Sequence, residues 1–126
     1  MLVIYLALGG TAGTLCRYAV GEILPRWTGT GFPWATFTVN VVGSFILGFV
    51  MRATQSGTSP EVRAMLTIGF CGAFTTFSTF GFETLALLRE GQTGKAMAYA
   101  LGSPALGFAA ILLGMSAAGA WMQARG

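Results

Sequence analysis

Gly69-Phe70-Cys71-Gly72-Ala73-Phe74-Thr75-Thr76-Phe77-Ser78-Thr79-Phe80-Gly81-Phe82 is the stretch on which the reading of this chain turns. No charge falls between Arg63 and Glu83, so the segment is too apolar for a surface loop. It is also crowded with glycine and hydroxyl residues. Gly costs about 1 kcal/mol against Ala in a helix interior, and Thr is a weak helix former. Such a run inside a membrane segment suggests a helix that breaks and resumes. Irregular backbone at membrane depth is tolerated only where it is buried in protein or lines a watery path. Gly72 is expected to relax the backbone, and the Thr75 and Thr76 hydroxyls to satisfy some of the freed groups. A bent, well-packed span is the plain alternative.

Working outward, the other segments have the same character. The chain has 126 residues, 54% hydrophobic and only 9% charged, with no His and no Asp. A soluble domain usually carries about a quarter charged residues. Spanning helices need roughly 20 apolar residues, and four are expected, over residues 2–24, 34–53, 62–88 and 97–122. The fold class is therefore an all-α membrane protein, a single domain over 1–126 with a broken third helix. The net charge of +3 comes from single basic residues, mostly at span ends, with no basic run, so no nucleic-acid partner is expected. The N-terminus lacks the basic region of a cleaved signal peptide. Cys16 and Cys71 show no metal-site spacing and are read as small packing residues.

In the first span, Gly9 and Gly13 form a small-xxx-small pair that allows close helix approach. Arg17 follows one turn later. A cation at this depth is costly unless it is paired or reaches the interface, so Arg17 is read as a pore-mouth cation, with snorkelling as the simpler account. Glu22 is read as interfacial, and Pro25 as the end of the span. In the second span, Thr36, Asn40, Gly43, Ser44 and Leu47 share one small, polar face. Asn40 is the sole amide in any expected membrane core. Its N–H groups suit a permeating anion, although a buried Asn often only bonds a neighbouring helix. After the break, Phe77 and Phe80 share a face, and Thr76, Thr79 and Glu83 a neighbouring one. The fourth span carries Tyr99 and Ser103, then Pro104, where a kink is expected. Ser103, Gly107, Ala110, Gly114 and Ala118 make small-residue stripes for close packing.

The span ends alternate sides. Arg26, Arg89 and Lys95 gather on one side, and Arg52, Arg63 and Arg125 on the other. Lys/Arg bias sets membrane orientation, and here it cancels. A chain that inserts both ways is expected to form an antiparallel, dual-topology homodimer.

Gly9-Gly10…Gly13…Arg17-Tyr18, Thr36…Val39-Asn40…Gly43-Ser44-Phe45…Gly48 and Gly69-Phe70-Cys71-Gly72…Thr75-Thr76-Phe77-Ser78-Thr79-Phe80 together resemble the Fluc/CrcB family of fluoride channels. The resemblance covers all four spans. It implies a dual-topology homodimer in the cell (inner) membrane, multi-pass, that exports fluoride passively, lowers cytoplasmic fluoride and confers fluoride resistance. Carried over, Phe77 and Phe80 match the pore phenylalanines, Asn40 the pore asparagine, and Tyr99 and Ser103 the pore residues of the fourth helix; Thr79 joins them on the pore-lining face. Gly72 and Thr75 match positions whose carbonyls hold a structural sodium ion (Na+) at the dimer centre. Pro104 directly after Ser103 departs from the pattern, and no second serine stands near Gly107.

The residues support the same chemistry. Hydroxyls and the Asn40 amide supply donors, and a phenyl ring presents a positive edge to an anion. The rival reading is a small dual-topology, proton-coupled drug exporter. It needs an embedded carboxylate, and the candidates Glu22 and Glu83 sit near span ends. A non-conducting scaffold would leave the Thr/Ser-rich break without a purpose. An enzyme is excluded by the lack of any nucleophile–base pair.

Overall fold

The computed structural model describes all 126 residues, Met1–Gly126. It is entirely helical: α1 (Leu2–Ile23), α2 (Pro25–Thr28), α3 (Trp34–Ala53), α4 (Pro60–Ala64), a π-helical segment (Met65–Cys71), α5 (Gly72–Phe74), α6 (Phe77–Arg89) and α7 (Thr93–Arg125). Four stretches are long and apolar enough to cross a membrane: Leu2–Thr28, Trp34–Ala53, Pro60–Arg89 and Thr93–Arg125. They match the four expected from uncharged runs.

Two boundaries move. Pro25 does not end the first span, because its missing N–H is harmless in a first helical turn. The Thr28 and Gly29 amides donate to Leu24 and Pro25, and the chain turns off only at Gly29, φ 74°. The last helix begins at Thr93 and continues to Arg125, beyond the expected 97–122. Lys95 does not stop it, since its long stem carries Nζ to the Gly31 carbonyl at 3.1 Å. Pro104 lies inside α7 without interrupting it.

Packing is interleaved. α1 packs chiefly on the π-helical segment and α5, and α3 chiefly on α7. Small residues set both contacts. A Cβ at Gly9 would fall on the Met65 carbonyl, and one at Gly13 on the Phe70 carbonyl. Likewise, a Cβ at Gly48 would fall on the Ile111 carbonyl and one at Gly114 on the Phe45 carbonyl. The backbones meet directly, which is how membrane helices gain contact without a hydrophobic driving force. Gly107, Ala110 and Ala118 are buried along the same stripe of α7.

Candidate functional site

The site is built around Thr75 and Thr76. Both have extended backbone (φ −87°, ψ 160° and φ −150°, ψ 124°), between α5 and α6. Gly72, expected to relax the chain, is helical at φ −62°, ψ −34°. The extended residues are instead the two threonines, whose branched Cβ suits extended backbone and whose hydroxyls take over backbone bonds. Thr75 Oγ1 donates to the Cys71 carbonyl at 2.9 Å. Thr76 caps α6: the Thr79 amide donates to Thr76 Oγ1 at 3.3 Å, and Thr76 Oγ1 donates to Thr79 Oγ1 at 3.1 Å. That is the N-cap role Thr plays well.

Two other helices reach in. From α3, Asn40 faces the Thr76 peptide groups. Its Nδ2 donates to the Thr76 carbonyl at 3.0 Å, and the Thr76 amide donates to Asn40 Oδ1 at 2.8 Å. The Thr76 amide is therefore unavailable to Gly72, its carbonyl partner in a continuous helix. From α1, Arg17 Nε donates to the Ala73 carbonyl at 3.0 Å. The Thr75 carbonyl accepts no hydrogen bond within the chain.

Two cavities flank these residues. The larger, about 430 Å³, is bordered by Asn40, Ser44, Thr75, Phe77, Phe80 and Ser103, with Gly72 also on its wall. Not one of its lining residues is charged. The Ser103 hydroxyl is buried there with no hydrogen-bond partner. Ser44 Oγ donates to the Asn40 carbonyl at 2.7 Å, its ordinary place in a helix. The smaller cavity, about 350 Å³, holds Arg17, Thr36 and Thr79, with Glu22 on its wall. Thr76 borders both.

Of the residues singled out from sequence, Asn40, Gly72, Thr75, Phe77, Phe80 and Ser103 come together at the first cavity, and Arg17 and Thr79 at the second. Tyr99 lines neither. It is fully buried, its ring packed edge-on against Phe80 (centroids 4.9 Å) and Phe32 (5.4 Å), and its hydroxyl donates to Glu83 Oε1 at 3.1 Å. The two phenylalanines differ sharply. Phe80 packs into the cluster of Leu87, Ala96 and Tyr99, whereas Phe77 is 85% exposed and so is not core of this chain. Sequence reasoning missed Glu83 as the partner of Tyr99. The available signal was that Glu83 is the sole carboxylate within residues 62–88. Asn40 makes the bond to a neighbouring span expected of it as the simpler reading, but sequence did not identify the partner, because nothing local marks Thr76, 36 residues away.

Chemically, the larger cavity offers the free Ser103 hydroxyl, the Asn40 amide and phenyl rings in an uncharged setting, and the smaller one adds the charged Arg17 and Glu22. A family model described as "CrcB-like protein, Camphor Resistance (CrcB)" matches residues 4–115. A protein of Thermus thermophilus named fluoride-specific ion channel FluC is 47% identical over 115 residues, covering 90% of this chain and 92% of that protein. One of the same name from Chlorobaculum tepidum is 47% identical over 121 residues, covering 94% and 95%. Another from Methanopyrus kandleri is 46% identical over 114 residues, covering 89% and 85%.

Proposed function

The chain belongs to the Fluc/CrcB family of multi-pass membrane ion channels, not enzymes, and on that premise we propose that it conducts fluoride passively out of the cell. The observation that carries the reading is the uncharged cavity with its unpartnered Ser103 hydroxyl. Fluoride holds its water tightly, so a pathway must replace that hydration. A buried hydroxyl without a partner is a costly arrangement that a passing acceptor relieves. Phenyl edges at Phe77 and Phe80 add attraction without a fixed cation that would trap the ion. Conduction needs binding weak enough to allow exit, and an uncharged lining meets that need. A proton-coupled drug exporter is disfavoured by the same observation, since the cavity holds no carboxylate to carry the proton.

The assembly belongs to the same proposal. Two antiparallel copies in the cell (inner) membrane fit the balance of Arg26, Arg89 and Lys95 against Arg52, Arg63 and Arg125. Within one chain Gly72 is exposed, and Phe77 has no neighbour but Phe80 among the aromatic rings, so both are open to a second copy. The Gly72 and Thr75 carbonyls suit a sodium ion between two such copies: both are hard oxygens, one without a bond and one deprived of its helical donor. The ion would be structural, offsetting repulsion among converging carbonyls.

The test is fluoride release from liposomes carrying the purified protein. Release without a proton gradient, with chloride largely refused, is the expected result. Equal chloride flux, or a strict need for a pH gradient, ends the channel reading. Exchanging sodium for a bulky organic cation should make the flux decline slowly and recover when sodium returns.

A further inference from the structure

The Arg17 side chain, read from sequence as a cation at the mouth of a path, is bound to the backbone of another span. Its Nε–H is committed to the Ala73 carbonyl at 3.0 Å. In an uninterrupted helix that carbonyl would accept from the amide of Phe77, four residues on. Extended Thr75 and Thr76 move Phe77 away, so Ala73 is one of the last carbonyls of the helical run that begins at Pro60. Such carbonyls carry partial negative charge and are commonly bonded by Arg or Lys. Arg17 comes from another helix, and its delivery is built in. Gly13, one turn earlier, brings the α1 backbone against Phe70, with Ala73 Cβ only 3.1 Å from where a Cβ at Gly13 would lie. From α3, Asn40 holds both peptide groups of Thr76. The extended pair is thus held from two sides, by α1 through Ala73 just before it and by α3 at Thr76 itself.

We propose that Arg17 is a positioning residue for conduction: by capping the Ala73 carbonyl it fixes, with Asn40, where α6 restarts, and hence where Phe77 and Phe80 stand. Its charge matters less than its donor. The flux readout rests on the channel reading above, and a second readout does not.

The chemistry of substitution separates donor from charge. Gln carries Nε2 the same number of bonds from Cα as Arg carries Nε, so Arg17→Gln restores the donor without the charge. Arg17→Lys keeps the charge and places its nitrogen one bond further out. Arg17→Met removes both. Maximal fluoride flux of Arg17→Gln should stay within about threefold of the unsubstituted protein, while Arg17→Lys and Arg17→Met fall at least about tenfold, the scale of losing a hydrogen bond from a charged donor. The half-saturating fluoride concentration should not change in any of them. A role in attracting anions gives the opposite pattern: Lys preserves flux, Gln does not, and half-saturation rises. That pattern overturns the proposal, and so does a Gln variant no better than Met, or a Met variant with full flux. Amide hydrogen exchange over residues 74–78, in detergent or nanodiscs, is the second readout. Exchange should quicken in Arg17→Met and return to the original rate in Arg17→Gln; unchanged exchange in Arg17→Met also overturns the proposal. Should the unsubstituted protein carry no fluoride, the channel reading falls, and the exchange rates still decide whether Arg17 positions these residues.

Discussion

α7 and the segment from Pro60 to Arg89 are the two longest candidate spans, and they treat helix-breaking residues in opposite ways. α7 contains Pro104, a strong helix breaker, and runs through it from Thr93 to Arg125. The other segment has no proline after Pro60, yet it passes through a π-helical segment and then two extended residues at Thr75 and Thr76. Intrinsic propensity does not separate them; partners do. α7 packs chiefly on α3, backbone to backbone where Gly48 meets Ile111 and Gly114 meets Phe45, and one missing N–H is a local loss. Around Thr75 and Thr76, Arg17, Asn40 and the two threonine hydroxyls satisfy part of what the helix gives up, with the Gly72 and Thr75 carbonyls left over. Extended residues persist where side chains from other helices supply replacement bonds, and not simply where a poor helix former stands.

The strongest way to break this comparison is Asn40→Leu. It leaves the Thr76 N–H and C=O without partners. Each orphaned group costs about 1–3 kcal/mol, so fluoride flux in liposomes should fall roughly 100-fold. Retained flux would mean that these residues hold their geometry without the clamp. On the α7 side, Gly114→Ala puts a Cβ onto the Phe45 carbonyl, whereas Gly119→Ala meets open space. The first should lower stability by about 2 kcal/mol, read as a drop in the thermal midpoint of the purified protein, from overpacking between helices. The second should leave the midpoint level or slightly raised. Equal effects would show that α7 is not held by its contact with α3.

Next in size, Phe77→Ile and Phe80→Ile should each cut fluoride flux by about tenfold, since isoleucine keeps the bulk but lacks the positive ring edge. Only Phe80→Ile should also reduce thermal stability, because Phe80 packs on Tyr99 and Phe77 is exposed. Full flux in both would make the rings packing residues only. The smallest effect is expected from Pro104→Ala, which returns an N–H for the Ala100 carbonyl. Stability should rise by about 1 kcal/mol at most, because α7 already accommodates the ring, and flux should hardly change. A large gain would mean that Pro104 strains α7 and that the contrast between the two spans is overstated.

The span count was legible because charge marks the ends: uncharged runs of this length have few alternatives. The close contacts were legible because Gly9, Gly13 and the small residues of α7 recur at helical spacing. The π-helical segment Met65–Cys71 was not, since no residue type marks an extra backbone step. The position of the extended residues was misplaced toward Gly72 for a related reason. A permissive residue shows where a chain is free to depart from a helix, but the departure settles where the replacement bonds lie. Those bonds come from Arg17 and Asn40, distant in sequence by 56 and 36 residues. Of the cavity residues, Asn40 stood out by its chemistry and Phe77 and Phe80 by their shared face, while the placing of Phe77, Phe80 and Ser103 along a pathway came from the family resemblance. Tyr99 was assigned to the same lining by the family resemblance alone, yet its ring packs against Phe80 and Phe32 and its hydroxyl is engaged by Glu83.

The interleaved packing has a consequence for how the molecule is made. α1 finds its main contact in the π-helical segment and α5, and α3 finds its own in α7. Each partner is separated from the other by one whole intervening span. During synthesis, then, neither the first nor the second span has its main neighbour when it enters the bilayer, and no hairpin of consecutive helices can serve as a finished intermediate. The first pair closes only when residues 65–74 have emerged, and the second only when α7 has. Until then Gly9, Gly13, Gly48 and the Arg17 guanidinium wait in lipid without the surfaces that their shapes anticipate.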